Sequence, residues 1–287
     1  MAAPLIEQAF AKVNLTLRVI RRRPDGYHEL DSLVVFARLA DRLSLADADA
    51  LTLTTRGPTA RAAGPVTDNL VLKAATALAA NVPSLKLGAF VLHKRLPVAA
   101  GLGGGSADAA AALRLLARLN RIALDDPRLL AAAKATGADV PVCLDPRPRR
   151  MQGIGDILSA PLTLPRLAAV LVNPGIAVPT RDVFAGLRIG PADGTARPDL
   201  PSSRQALLAA LAQQPNDLEP PAIAIAPVIA DVLAALRAQP DCRLARMSGS
   251  GATCFGLFDS LRAAMAAAAV LRKAHMRWWV HATVLNG

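Results

Sequence analysis

Cysteine is scarce in this sequence, and its spacing forms no recognisable site. The three cysteines, Cys143, Cys242 and Cys254, are odd in number, and no two of them make a CxxC pair. This pattern argues against a disulfide framework and against a zinc site. We expect all three to be reduced residues of the core.

Long apolar segments are absent as well. Arg166, Asp108 and the prolines within 220–230 interrupt every candidate run, so none reaches the roughly 18 apolar residues that suggest a membrane-spanning helix. Residues 1–10 lack the basic segment followed by an apolar one that marks an export signal. We therefore expect a cytoplasmic protein with no membrane partner.

Acidic residues are outnumbered, with 22 Asp and Glu against 33 Lys and Arg, a formal charge of +11 and an isoelectric point near 10.7. Such an excess can attract a polyanionic partner. Only six of the basic residues are lysines, so an arginine-rich composition that reflects codon usage is the favoured explanation of the charge. The basic clusters at 21–23 and 147–150 are too short for a nucleic-acid-binding tail, and no nucleic-acid partner is expected.

The chain does contain enough apolar material for a folded core, since 53% of its residues are hydrophobic and 19% are charged. Its 287 residues suit two domains or one large domain. The Pro- and Arg-rich stretch 145–166 separates two mixtures of strand and helix patterns. This composition shift predicts one domain over residues 1–155 and a second over residues 156–287.

Hydrophobic periodicity predicts the elements of both halves. Residues 11–19 alternate between apolar and polar side chains, with Lys12 and Asn14 on the polar face, which predicts a half-buried strand. The other strands predicted in the first half are Leu33–Leu39, Leu51–Thr55 and Leu87–His93, and its helices are Asn69–Ala80, Ala107–Asn120 and Pro127–Thr136. The second half is predicted to contain the strands Leu167–Asn173, 243–247, 253–258 and Arg277–Val284 and helices near 181–187, 203–213, 222–238 and 260–274.

The strongest chemical signal is a glycine-rich loop directly before a helix. Its sequence from Pro97 to Asp108 reads PVAAGLGGGSAD, with four glycines within five positions. Glycine allows close backbone approach and positive φ angles, and the first amides of the helix point into the loop. Such a loop attracts anions, and a polyphosphate is the natural ligand.

Two common phosphate loops do not fit this segment. A Walker A loop requires a lysine where Ser106 follows the last glycine, and the dinucleotide fingerprint requires a glycine where Asp108 stands. A flexible turn before a helix capped by Ser106 remains the non-functional alternative. Because a carboxylate facing the loop would repel a phosphate, we expect Asp108 to point away from it.

A second small-residue loop, Met247 to Thr253 with sequence MSGSGAT, lies between two predicted strands. It supplies backbone donors and hydroxyls without bulk. We expect it to pack against the first loop or against a ligand phosphate.

Together these segments resemble the GHMP kinase superfamily, which combines an N-terminal strand bearing a lysine, a Pro-x₃-Gly-Leu-Gly-Gly-Gly-Ser loop and a late Ser-Gly-Ser-Gly loop. Further segments narrow the resemblance to the members that act in non-mevalonate isoprenoid precursor synthesis: Ala11–Leu15 (AKVNL), Arg23–Leu30 (RPDGYHEL), Gly137–Pro141 (GADVP), Pro179–Phe184 and Asn216–Glu219 (NDLE). The resemblance covers nearly the whole chain in the expected order.

The resemblance implies a two-domain α+β fold, with a ribosomal-protein-like N-terminal β/α domain, a ferredoxin-like α/β sandwich at the C-terminus and the active site in the cleft between them. It implies transfer of the ATP γ-phosphoryl group to the 2-hydroxyl of a cytidyl-diphosphate sugar alcohol, with ATP and Mg²⁺ as cofactors. By position, Asp139 would be the general base and Lys12 its neighbour. ATP would be bound by Asn69 and by the loop residues Pro97, Val98, Ala99, Ala100, Gly101, Leu102, Gly103, Gly104, Gly105, Ser106 and Ala107.

The substrate side would be lined by Asn14, Tyr27, His28, Thr180 and Phe184. With 3% aromatic residues and one tyrosine in the chain, Tyr27 and Phe184 are the rings expected to stack on a cytosine. No carboxylate ligand for Mg²⁺ can be named, although Ser106 is a possible one. Two alternatives remain: another superfamily kinase acting on a mevalonate- or homoserine-like alcohol, and an RNA-binding module suggested by the ribosomal-protein-like fold and the basic charge.

Overall fold

Residues 3–188 and 200–286 are described by a computed structural model, and they form the mixed α+β arrangement that the sequence predicts. The strands are β1 Leu5–Arg22, β2 His28–Asp47, β3 Thr52–Arg56, β4 Gly88–His93, β5 Arg149–Gly153, β6 Ile157–Leu158, β7 Leu167–Asn173, β8 Cys242–Met247, β9 Cys254–Phe258 and β10 Trp279–Leu285. The α-helices are α1 Leu70–Asn81, α2 Gly104–Asn120, α3 Pro127–Thr136, α4 Val140–Leu144, α5 Thr180–Ala185, α6 Arg204–Ala212, α7 Glu219–Ile225, α8 Val228–Arg237 and α9 Leu261–Ala274.

Local capping chemistry sets several helix starts. The Asn69 side chain accepts a hydrogen bond from the Val71 amide at 2.9 Å, so α1 begins at Leu70 with Asn69 as its N-cap. Residues 66–68, directly before Asn69, form a short 3₁₀ helix. Helix α2 begins at Gly104 with Gly103 as its N-cap, three residues before the predicted start at Ala107, so the alternative of a helix capped by Ser106 does not hold.

Strand β1 departs from the predicted half-buried pattern. Lys12, Asn14 and Thr16 lie on the polar face, yet they are only 4%, 1% and 3% exposed. They tolerate burial because each has a polar partner; the Thr16 hydroxyl, for example, accepts a hydrogen bond from the Leu33 amide at 3.1 Å. Alternation correctly separated the two faces but could not show that both are covered.

Two further expectations are corrected by the backbone. The helix predicted over 222–238 is two helices, α7 and α8, because Pro227 has no amide hydrogen to continue the first one. The stretch expected to act only as a separator at 145–166 contains strands β5 and β6, and β5 pairs with β2, with Leu30 opposite Gly153.

The chain forms two compact units that are not contiguous in sequence. Of the described residues, unit 1 contains 3–12, 39–98 and 103–146, and unit 2 contains 13–38, 99–102, 147–188 and 200–286. The predicted division at 155/156 therefore stays a prediction. Strands β1 and β2 each supply residues to both units.

Unit 1 consists of a small sheet with a layer of helices. Strand β4 pairs antiparallel with the second half of β2, with Arg42 opposite His93, and parallel with β3, with Thr52 opposite Ala89. Helix α1 packs on α2 and α3, and α2 packs on α4. Most of α2 is buried, which fixes the position of the glycine loop that precedes it.

Unit 2 is built on an antiparallel sheet whose strands follow the order β2, β10, β7, β9 and β8. Every residue of β7 is buried at its centre. Helices α8 and α9 pack on this sheet and complete a core that includes Val170, Val172, Leu233 and Leu271. The three cysteines are free as expected, although Cys242 is only half-buried.

Within the part of the chain that the structure describes, none of the helices combines the length and the apolar character that crossing a bilayer requires.

Candidate active site

Lys12 and Asp139 form an ion pair in unit 1. Lys12 Nζ lies 3.0 Å from Asp139 Oδ2, and the two side chains are 5% and 36% exposed. Lys12 projects from β1, whereas Asp139 is the N-cap residue of α4. The pair thus joins an almost completely buried ammonium to a carboxylate that solvent can reach.

The glycine loop passes directly over the lysine side chain. Gly103 has φ +59°, in the left-handed region, and a Cβ built there would lie 3.1 Å from Lys12 Cε and 3.2 Å from Lys12 Cβ. A side chain at this position would therefore strain the backbone and push against the lysine stem. Glycine at 103 allows the loop, the lysine and Asp139 to lie together.

The N-terminus of α2 offers free amides next to that pair. The first hydrogen bond of the helix runs from the Ala107 amide to the Gly103 carbonyl at 2.8 Å, so the amides of residues 104–106 precede the helical ladder. Free amides and the helix dipole favour an anion here. Ser106 lies in the first turn of α2. It is not the N-cap residue, which is Gly103.

Asn69 is the N-cap of α1, and the residue after it, Leu70, lies near the start of α2. A Cβ on Gly105 would lie 3.3 Å from Leu70 Cδ1. The start of α1 is therefore adjacent to the start of α2. The oxygen of the Asn69 side chain is engaged as a helix cap.

The two small-residue loops contact each other within unit 2, as the sequence predicts. The Thr253 amide donates to the Ala100 carbonyl at 3.1 Å, and the Ser248 hydroxyl donates to the Gly101 carbonyl at 2.9 Å. Gly101 has φ +73°, and a Cβ there would lie 2.2 Å from the Ser248 carbonyl oxygen. The second loop therefore supports the first, and glycine at 101 is required for both to fit.

Asn14 is held beside the same loops. Its backbone amide donates to the Ser248 hydroxyl at 3.1 Å, and its side-chain nitrogen donates to the Ser32 hydroxyl at 2.7 Å. The side-chain oxygen Oδ1 of Asn14 would lie 3.5 Å from a Cβ built on Gly249. Asn14 follows Lys12 by two residues along β1, so both side chains leave the strand on the same side.

His28 and Phe184 form a stacked pair in unit 2. Their ring centroids are 4.8 Å apart, and their planes differ by 25°. Burial lowers the pKa of His28, and the nearby Arg22 lowers it further, so the imidazole is neutral at physiological pH. Phe184 also packs against the hydrophobic core, which fixes the orientation of the pair.

Tyr27, the other ring expected to stack on a cytosine, lies at the surface. Its side chain is 62% exposed in the turn between β1 and β2, and its amide donates to Asp25 Oδ1 at 3.1 Å. Among the described residues, the ring contacts involving Phe184 are with His28 rather than with Tyr27. Tyr27 nevertheless precedes His28 directly in the chain and offers a free aromatic surface.

Thr180 lies one helical turn before Phe184 on α5. Its hydroxyl is 2.8 Å from the Ser250 hydroxyl of the second small-residue loop. Residues four apart on a helix share a face, so Thr180 and Phe184 are presented on the same side of α5. The residues expected on the substrate side within unit 2 are thereby linked to the small-residue loops.

Several polar residues that support these loops were not singled out from the sequence. Asn216 donates its side-chain amide to the carbonyls of Met247 and Gly249 at 2.9 and 2.8 Å. Arg246, which is 6% exposed, donates to the carbonyls of Leu15 and Leu211 at 2.7 and 2.9 Å. The sequence offered one signal, the NDLE segment that begins at Asn216, but it could not indicate what that asparagine binds.

Lys94 is another residue that the sequence patterns did not single out. It is buried between Asp41 and Asp108, at 2.5 and 2.7 Å from their carboxylate oxygens. Asp108 is 2% exposed and its carboxylate binds Lys94. The lysine lies three residues before Pro97, and this proximity to the loop was the available signal.

Family comparisons match both parts of the chain. The model described as GHMP kinases N terminal domain matches residues 69–145, and the model described as GHMP kinases C terminal matches residues 196–276. The glycine loop, Asp139 and the second small-residue loop all fall within the matched ranges.

Curated relatives match over nearly the full length. Proteins named 4-diphosphocytidyl-2-C-methyl-D-erythritol kinase are 61% identical in Methylobacterium radiotolerans, covering 98% of this chain and 99% of the relative, and 57% identical in Xanthobacter autotrophicus, covering 97% and 98%.

Solved structures agree with these relatives. A crystal structure of 4-(cytidine 5'-diphospho)-2C-methyl-D-erythritol kinase has a TM-score of 0.79 and 39% identity, covering 99% of this chain and 100% of the other. A homoserine kinase from Cytophaga hutchinsonii has a TM-score of 0.71 and 19% identity, covering 99% and 95%. The second comparison shows a shared fold alone.

Proposed function

We infer that this chain, which belongs to the GHMP kinase family and within it to the 4-diphosphocytidyl-2-C-methyl-D-erythritol kinases, transfers the γ-phosphoryl group of ATP to the 2-hydroxyl of 4-diphosphocytidyl-2-C-methyl-D-erythritol. The products are the 2-phosphate and ADP, in the non-mevalonate route to isoprenoid precursors. The observation that carries this inference is the full-length identity to relatives of that name, together with a Lys12–Asp139 pair beside a glycine loop.

Asp139 acts as the general base in this proposal. Phosphoryl transfer has a loose transition state, and an ordinary aspartate, with a pKa near 4, is too weak to deprotonate a free alcohol beforehand. The carboxylate therefore orients the 2-hydroxyl and accepts its proton late, as the new oxygen–phosphorus bond forms and the bond to the β-phosphate breaks.

Lys12 has two roles in the same step. Its ammonium lies 3.0 Å from the Asp139 carboxylate and holds it in position. Because its stem lies against Gly103, the positive charge is also next to the loop assigned to the phosphates. A fixed charge at that point stabilises the negative charge that develops on the transferred group.

The ATP phosphates are assigned to the loop from Pro97 to Ala107. Two features support this assignment: the free amides at residues 104–106 and the positive φ angles of Gly101 and Gly103. Both allow the backbone to wrap around an anion. Asn69 is assigned to the nucleotide side because the start of α1 adjoins Gly105.

The cytidyl end is assigned to Tyr27, His28 and Phe184, with Thr180 and Asn14 as polar neighbours. The neutral imidazole can hydrogen-bond a base edge, and its stack on Phe184 extends a flat apolar surface. The exposed Tyr27 ring is available to cover the other face of the base.

Mg²⁺ is proposed to arrive with the nucleotide. Among residues 3–188 and 200–286, no three His, Cys, Asp or Glu side chains gather into a metal site. An Mg²⁺ ion that comes with ATP needs only one or two protein ligands, because phosphate oxygens and water supply the rest. The Ser106 hydroxyl in the first turn of α2 is the candidate ligand, and the ion would neutralise phosphate charge there.

A substrate panel tests the proposed function. The purified chain with Mg-ATP is offered the cytidyl-diphosphate substrate, the corresponding free sugar phosphate, mevalonate and homoserine, and ADP release is measured by chromatography. We expect turnover with the cytidyl compound alone and a single new phosphomonoester at its 2-position by ³¹P NMR. Comparable turnover of mevalonate or homoserine, or none with the cytidyl compound, would refute the assignment.

A further inference from the structure

Unit 2 contains a cavity to which the proposed reaction gives no role. Its volume is about 480 Å³, within the range of pockets that hold small organic molecules. Its wall is formed by residues of helix α7, the end of α8, strand β8 and the segment between α6 and α7. All of the lining residues belong to unit 2.

Arginine supplies most of the charge on this wall. Among the described residues that line the cavity, Arg237, Arg243 and Arg246 are basic and Glu219 is acidic, which gives a formal charge of +2. A guanidinium group presents pairs of N–H donors in a plane, and these match the oxygens of a carboxylate or a phosphate. The wall is therefore suited to an anionic group.

Arg246 is the buried member of the three arginines. It is 6% exposed, and it is fixed by the hydrogen bonds that it donates to the Leu15 and Leu211 carbonyls. A guanidinium carries five N–H groups, so donors remain for a ligand in the cavity. Burial lowers the pKa of Arg246 to about 10, and the side chain is still charged at neutral pH. A buried charge held in place in this way is preorganised for an anion.

Arg237 and Arg243 lie on the solvent side of the cavity, with side chains that are 58% and 53% exposed. Arg243 is bound to Asp259. Arg237 is less engaged, because its Nη2 lies 3.9 Å from Glu219 Oε1, beyond hydrogen-bonding distance. Glu219 uses its other oxygen, Oε2, to accept from the Met247 amide at 2.9 Å. Arg237 can therefore turn to a ligand without breaking a hydrogen bond.

The rest of the wall is largely apolar. Leu244 and the rings of Pro215 and Pro220 line the cavity beside the arginines. A ligand that fills the space would therefore place an apolar body against these residues and an anionic group among the guanidinium groups. A phosphate monoester has three terminal oxygens for three arginines, whereas a carboxylate has two.

We propose that this cavity is a second ligand site, which binds a small organic phosphate. Its phosphate group lies among Arg237, Arg243 and Arg246, and its body of a few carbon atoms lies against Leu244 and the two prolines. This inference goes beyond the proposed function and does not rest on it, because it concerns binding at a wall that holds none of the residues assigned to ATP or to the cytidyl substrate.

The same wall supports the second small-residue loop. Asn216 lines the cavity and donates to the carbonyls of Met247 and Gly249, and Glu219 binds the Met247 amide. The ligand would therefore contact the side chains that hold this loop. Because a ligand that binds only the folded chain stabilises it, the melting temperature should rise when the cavity is filled.

Cys242 provides a local measure of whether the cavity is filled. It lines the cavity and is half-buried, whereas Cys143 and Cys254 are 2% and 0% exposed. Burial raises the pKa of the Cys242 thiol, so its alkylation is best followed near about pH 8.5. A ligand in the cavity would cover the thiol, whereas a phosphate bound at the glycine loop would leave its alkylation unchanged.

The test measures the rate at which iodoacetamide alkylates Cys242 in the full chain, by peptide mass spectrometry at constant ionic strength. The probes are n-butyl phosphate, inorganic phosphate and pentanoate, without ATP or cytidyl substrate. We expect n-butyl phosphate to slow alkylation roughly fivefold at about 5 mM and to raise the melting temperature. Equal protection by inorganic phosphate would overturn the apolar contacts, and equal protection by pentanoate would overturn the preference for phosphate.

Arg237→Gln tests the assigned contact. It removes an exposed arginine that makes no short hydrogen bond, so the variant should fold, which a thermal melt establishes. We expect it to need roughly tenfold more n-butyl phosphate for the same protection, relative to its own rate without ligand. Arg262→Gln is the matched control, because Arg262 is exposed on α9 and does not line the cavity; it should behave as the wild type.

Two outcomes would overturn the site. One is that n-butyl phosphate gives no protection of Cys242 in the wild type, and the other is that Arg237→Gln has the wild-type concentration dependence. Neither would affect the proposed function, since these measurements contain neither substrate of the kinase. Failure of the cytidyl compound in the substrate panel would refute that function and leave the result for the cavity unchanged.

Discussion

At the scale of single residues, the burial of Lys12 is the most informative feature. At 4% exposure, Lys12 is not part of a solvated strand face. Burying an unpaired ammonium is strongly unfavourable, so the lysine needs a partner of opposite charge. Its contact with Asp139 offsets that cost and places the charge beside the glycine loop. Stability and the proposed catalysis therefore depend on the same contact.

Replacing Asp139 by asparagine should abolish most turnover. The variant keeps a hydrogen-bonding side chain but loses the proton acceptor, so we expect kcat to fall by roughly 10²–10⁴-fold with smaller changes in both KM values. Single-turnover kinetics measure the effect. Asp126→Asn, at the N-cap of α3, is the matched control and should retain full activity; an Asp139→Asn variant within about tenfold of wild-type kcat would contradict the assignment.

The stack of His28 on Phe184 predicts a selective binding defect. Phe184→Leu removes the flat surface beneath the imidazole, and we expect the KM for the cytidyl substrate to rise roughly tenfold while the KM for ATP stays within about twofold. Tyr27→Leu should give the same selectivity. Steady-state kinetics with each substrate varied in turn measure both values, and equal changes in the two would argue against stacking on the base.

At the scale of elements, the glycine loop fits only because of what surrounds it. Gly103 meets the Lys12 stem, and Gly101 meets the backbone of the second small-residue loop. Helix α2 is buried along most of its length and cannot shift to relieve a clash. The conformations at Gly101 and at Gly103 therefore each depend on the residues packed against them as well as on glycine itself.

Gly103→Ala should lower kcat through displacement of Lys12. The new methyl group meets the lysine stem at 3.1–3.2 Å in addition to the strain of a positive φ. Gly175→Ala carries a similar strain at φ +81° but meets only ordinary contact at 3.6 Å, so it serves as the matched control. We expect both variants to lose about 1 kcal/mol of unfolding free energy, measured by urea titration, and only Gly103→Ala to lose more than about tenfold in kcat; equal kcat values would count against contact between the loop and Lys12.

At the scale of the whole molecule, some surface arginines are paired with carboxylates, but basic residues remain in excess. Arg128 pairs with Asp126 and Arg243 pairs with Asp259, and these carboxylates have lowered pKa values because the arginines bond to them. The formal charge of the chain is still +11. A field of that sign favours the approach of polyanions such as ATP and a cytidyl diphosphate.

Salt should therefore weaken capture of the substrates more than it changes chemistry. We expect kcat/KM for both substrates to fall several-fold between about 0.05 M and about 0.5 M NaCl, because the screening length shortens over this range. The value of kcat should change little, since the buried Lys12 charge is screened weakly. Initial rates at each salt concentration measure this, and a salt-independent kcat/KM would show that the net charge has no part in substrate approach.

The sequence by itself determined the features that depend on local backbone chemistry. The glycine loop, its position before α2, the bounds of α3 and of β7, and the order of the motifs all follow from short segments, because turns, caps and periodicity are read from neighbouring residues. The family resemblance rested on those same segments, and the comparisons confirmed it.

Only the tertiary structure decided which distant side chains meet. Asp41 and Lys94 are 53 residues apart in sequence and Asp108 is 14 residues beyond Lys94, so no local pattern could join them. Alternation along β1 separated two faces but could not reveal that both are buried, and composition could not show that Phe184 stacks on His28 rather than on Tyr27. A pattern reports what one segment prefers, whereas burial and pairing depend on the segments that fold against it.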